Sequence, residues 1–136
     1  MAHGSIIGYD INEKSCQISY YNEQQIEPET LETDSENYQI PLIIGRFRDT
    51  WVYGKEAKRV MSLKEGYTAG RLMSRSLNGE KIQLGEEIYD AVWLLAKFID
   101  LSLQSLSGID KLVFSVPKLT EDIAQMLRGI AARMNI

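Results

Sequence analysis

The sequence predicts an α/β fold built on a mixed β-sheet, with antiparallel hairpins and one parallel strand flanked by helices. Three observations predict it. The chain opens with two short apolar segments, Ser5–Asp10 and Cys16–Tyr21, separated by a polar turn. It closes with a continuous apolar run, "DKLVFSV", set between two segments of helical periodicity. A strand reached through a helix is the pattern of a crossover, which parallel pairing requires.

The elements follow in order. The opening segments read as a hairpin. The stretch after Tyr21 is polar, and Glu27, Glu29, Glu32, Asp34 and Glu36 crowd together in it. It lacks the spacing and central glycine of a calcium-binding EF-hand loop, so a solvated loop with room for a short strand is expected. "YQIPLIIG" is β-branched and reads as a strand, with Pro41 at an edge or bulge. Thr50–Tyr53 alternates and reads as its hairpin partner. The turn between them, "GRFRD", carries Arg46 and Arg48, and Gly54 ends the second strand. "KEAKRVMSL" is a short helix with Ala57 and Val60 facing inward. Gly66 and Gly70 weaken any long helix after it, leaving a helical turn near Arg71–Ser76. Asn78-Gly79 signals a turn, and "EKIQL" a short strand.

The strongest helical pattern is "GEEIYDAVWLLAKFIDLSLQSLSG". Ile88, Val92, Leu95, Ile99, Leu103 and Leu106 recur at spacings of three or four, and Ala91, Leu94 and Phe98 widen the stripe. Glu86 and Glu87 then occupy the first turn, where they suit the helix dipole, and Gly108 stops the helix. "DKLVFSV" has the look of a strand buried on both faces. A final helix has Thr120 as N-cap and Glu121 and Asp122 in its first turn. Leu119, Ile123, Met126, Leu127, Ile130 and Met134 form its inner side.

Composition excludes several functions. The chain has 136 residues, 44% apolar and 25% charged, which suits one globular domain. The net charge of −4 argues against nucleic-acid binding, which needs a basic surface. The longest apolar stretch, near Ala91–Ile99, is far shorter than the roughly 20 residues that span a bilayer, so no membrane span is expected. Residues 1–5 lack the basic start and apolar run of a signal peptide. The lone cysteine, Cys16, permits no internal disulfide and fits a reducing, cytoplasmic setting. The lone histidine is His3, so the body of the fold has no imidazole for a Ser-His-Asp or Cys-His site and too few ligands for structural zinc.

Three landmarks stand in a familiar order. These are the opening hairpin with Gly8-Tyr9-Asp10, then Ile40-Pro41 leading to Gly54 and Ala57 in "VYGKEAK", then "DKLVFSVPKLTEDIAQMLRGIAARMNI". Together they resemble the front part of the nucleotide-binding domain of DnaK-type heat-shock chaperones, within the actin, sugar-kinase and chaperone ATPase superfamily. The resemblance runs from about Ile6 to Ile136. It implies a ribonuclease H-like ATPase lobe over residues 1–136, a fragment of a longer protein whose second lobe is its first partner. It also implies that ATP and magnesium are met in the longer protein and held only weakly by this chain alone.

In that family the opening reads Gly-x-Asp-x-Gly-Thr-Thr. By resemblance, Gly8, Asp10, Asn12 and Lys14 line the phosphates and Asp10 holds the metal through water. A turn rich in backbone N–H groups can cradle phosphate oxygens, and magnesium prefers oxygen ligands. The departures weaken that grip. Asn12 replaces the second glycine, and Glu13 and Lys14 replace the threonines. Glu13 puts a carboxylate where an anion should rest. Gly70, in Ala69-Gly70-Arg71-Leu72, stands where the family carries a catalytic lysine, and Arg71 and Arg75 are not equivalent replacements. The expected function is therefore a non-catalytic or weakly nucleotide-binding lobe with a regulatory or scaffolding role. The alternative is a protein-interaction module of the same fold without nucleotide, in which the acidic segment and the Arg46/Arg48 turn meet a protein partner.

Overall fold

In the computed structural model the described residues are 5–21, 29–30, 39–106 and 109–134. They fall into two compact units. The first holds β1 (Ser5–Ile11), β2 (Ser15–Tyr21) from Cys16 onward, β3 (Glu29–Thr30), β10 (Ile109–Ser115) and α4 (Glu121–Arg133). The second runs from Pro41 to Leu103 and includes Glu13–Ser15. No helix among the described residues is long and apolar enough to cross a membrane.

The sheet of the first unit has the order β10-β1-β2-β3, and β4 (Ile40–Pro41) also pairs with β2. β1 and β2 are antiparallel, with Gly8 opposite Ser19 and Asp10 opposite Gln17. β1 and β10 are parallel, with Gly8 opposite Val113 and Asp10 opposite Ser115. The fold is thus α/β with a mixed sheet, as expected. Strand alternation sorts the residues of β1: Ile7, Tyr9 and Ile11 are buried, while Ile6, Gly8 and Asp10 face the more open side. Tyr9 meets Phe114 edge-on, with ring centres 5.7 Å apart. Its hydroxyl accepts a 3.5 Å hydrogen bond from Cys16 Sγ. Thr120 caps α4 as expected, its Oγ1 accepting from the Ile123 N–H. Leu127 and Ile130 are the buried residues of that helix.

The second unit contains the sheet β6-β5-β7, made of β5 (Ile44–Phe47), β6 (Thr50–Tyr53) and β7 (Tyr67–Ala69), and the hairpin of β8 (Lys81–Leu84) and β9 (Glu87–Asp90). Its helices are α1 (Gly54–Leu63), α2 (Leu72–Leu77) and α3 (Ala91–Leu103). Pro41 interrupts the expected single strand. The Ile43 N–H bonds back to the Pro41 carbonyl, and β5 resumes at Ile44. Arg46 belongs to β5, so the β5–β6 turn is only Arg48-Asp49, both at positive φ as a tight hairpin requires. Ala57 and Val60 of α1 pack with Val52 in one core cluster, as the spacing predicts.

Several expectations need correction. Glu86 and Glu87 are not in a helix. Gly85 takes φ +68, the Gln83 side chain bonds its carbonyl, and the chain folds back so that Glu87–Asp90 pairs with β8. The helix begins at Ala91 and ends at Leu103, short of Leu106. Ile88 consequently lies 63% exposed. β10 is not buried on both faces. It stands at the end of the strand order, and Val113 is exposed. Leu119 precedes α4 and is exposed. β7 was not expected, because Gly66 and Gly70 flank it. His3, Gly108, Ile136 and most of the acidic segment lie outside the described residues.

Gly45 is required by close approach. A Cβ there would run into the Tyr67 carbonyl and lie 2.9 Å from Thr68 Cγ2, across the β5–β7 pairing. Gly45→Ala should lower stability by about 1–3 kcal/mol in urea unfolding. Cys16 offers a second test. Burial pushes its thiol up from 9.0 to about 11, partly opposed by the Tyr9 hydrogen bond. The unfolded thiol ionises first, so this contribution is intact below pH 9.0 and is lost as the pH rises toward about 11. Denaturation curves of the wild type should lose more stability across that window than those of Cys16→Ala.

Candidate functional site

The β1–β2 hairpin that carries the sequence-predicted site is well formed, but its residues do different work. Gly8 lies in mid-strand, three residues before the end of β1. A Cβ at Gly8 would meet Ser19 Cβ at 3.6 Å, an ordinary contact, so the backbone there does not demand glycine. Asp10 is exposed near the C-terminal end of β1, level with Ser115 on one side and Gln17 on the other. Asn12 and Lys14 are exposed in the turn. The Lys14 carbonyl accepts from the Leu42 N–H at 2.9 Å.

Asp10 is the one carboxylate of the predicted set, and Ser115 and Gln17 are its polar neighbours by register. Among the described residues, no group of three His, Cys, Asp or Glu side chains is arranged to hold a metal. A magnesium ion at Asp10 would therefore be held by one carboxylate and mostly by water, a mode that magnesium accepts when a substrate phosphate completes its shell.

The residue between Asn12 and Lys14 has the most defined role. Glu13 Oε1 accepts from Ser74 Oγ at 2.6 Å, and Oε2 accepts from the Ser74 N–H at 3.1 Å. Ser74 is the third residue of α2, so Glu13 satisfies one of the donors that a helix start leaves open. The helix needs this help. Its own N-cap residue, Arg71, sits at φ 54 and makes no side-chain cap. A carboxylate also suits the positive end of the helix dipole. The site thus spends its turn carboxylate on a residue 61 positions away in sequence. Arg75 is engaged with Glu80 at 3.2 Å, and Arg71 is exposed.

Arg46 and Arg48, which the alternative reading of the sequence sets against a protein partner, lie in the second unit and line a cleft that the sequence did not reveal. The cleft, of about 480 Å³, has Arg46, Arg48, Asp49, Glu65, Glu86 and Glu87 as its charged lining, with Tyr67 and Tyr89 also in its wall. Tyr89 also belongs to an aromatic cluster. It stacks on Trp93 with ring centres 5.1 Å apart and planes 21° apart, and Trp51 meets both rings. The Arg46 guanidinium lies 4.8 Å over the Trp51 ring, its cross-strand partner. The available signal was the spacing of Tyr89 and Trp93, four apart. Helical periodicity places that pair on one helix face, although Tyr89 is in a strand.

The Glu13 contact predicts its own energetics. Glu13→Ala should cost about 1 kcal/mol in chemical denaturation, the size of a lost helix cap. Glu13→Gln, which keeps an acceptor oxygen but not the charge, should cost a smaller part of it.

No curated protein matches the chain. Residues 27–136 match the family described as "Family of unknown function (DUF5716) C-terminal". With most of its length matched, this chain belongs to that family.

Proposed function

We propose that the chain is a non-catalytic lobe of actin- and chaperone-like ATPase architecture, with a regulatory or scaffolding role. The strand order β10-β1-β2-β3, with its single parallel pair beside β1, supports a ribonuclease H-like reading of the first unit. The observation that carries the non-catalytic part is the Glu13 carboxylate, held in the hairpin turn by two hydrogen bonds to Ser74. A phosphate seated in that turn would lie beside this fixed negative charge. Moving Glu13 away would uncap α2. Both costs act against tight nucleotide binding and against hydrolysis. On this reading Asp10 and a magnesium ion contribute weak affinity at most, and the second lobe of a longer protein supplies the rest of the cleft.

The same observation also favours a second reading, a protein-interaction module of this fold that binds no nucleotide. One titration separates the two. Thermal unfolding is followed with millimolar magnesium-ATP, and phosphate release is measured in parallel. A small saturable rise in Tm without phosphate release supports the weakly binding lobe, because stabilisation grows as RT ln(1 + [L]/Kd). No rise supports the interaction module. Phosphate release that Asp10→Asn abolishes would overturn both.

A further inference from the structure

We draw no further inference here: the strongest candidate, the cleft of the second unit lined from the β5–β6 and β8–β9 hairpins, mixes Asp49, Glu65, Glu86 and Glu87 with Arg46 and Arg48, and nothing in the structure shows what occupies it.

Discussion

The pairing of β1 on both sides is the constraint on which the rest of the first unit depends. β2 reaches it through a tight turn, which costs little chain entropy. β10 reaches it in parallel, which a tight turn cannot do. The chain between them must travel out and return, and here the excursion holds the whole of the second unit. The reward for closing so long a path is a strand whose Ile7, Tyr9 and Ile11 are almost wholly removed from water. Each such side chain contributes on the order of 2 kcal/mol by burial, before conformational entropy is set against it.

The same hairpin shows how a turn can be committed to a distant helix. A loop between two strands offers converging donors that suit an anion. In this chain the anion is internal. The Glu13 carboxylate gains a hydroxyl and a backbone N–H, and α2 gains a cap that its left-handed Arg71 cannot provide. A helix of six residues is far below the length at which helices persist by themselves, so an external cap has a large share in its stability. The turn carboxylate is thereby committed to structure.

The second unit joins its chemistry to its packing in a different way. Trp51, Tyr89 and Trp93 come from a strand, a neighbouring hairpin and a helix. Their mutual contact shields part of each ring, and Arg46 covers one face of Trp51. Of the three, Trp93 is the exposed one, while Trp51 and Tyr89 are half-buried.

Local physics was legible in the sequence. The opening hairpin, the Ala57/Val60 face, the Thr120 cap and the strand Lys81–Leu84 all follow from period, capping chemistry and turn residues acting over a few positions. Helical spacing from Ile88 onward was legible too, yet it misplaced Glu87–Asp90. The left-handed Gly85 and the ladder with β8 outweigh helix propensity there, and a ladder partner is invisible to a local pattern. The apolar run of β10 likewise gave its strand state but not its place at the end of the sheet order, because edge or centre is a property of neighbours. The sequence by itself determined which segments are strands and helices wherever local sterics and amphipathic period agree. Only the tertiary structure decided that Glu13 meets Ser74 and that two tryptophans, a tyrosine and an arginine share one surface, since those encounters depend on where distant segments pack and not on any residue's own preference.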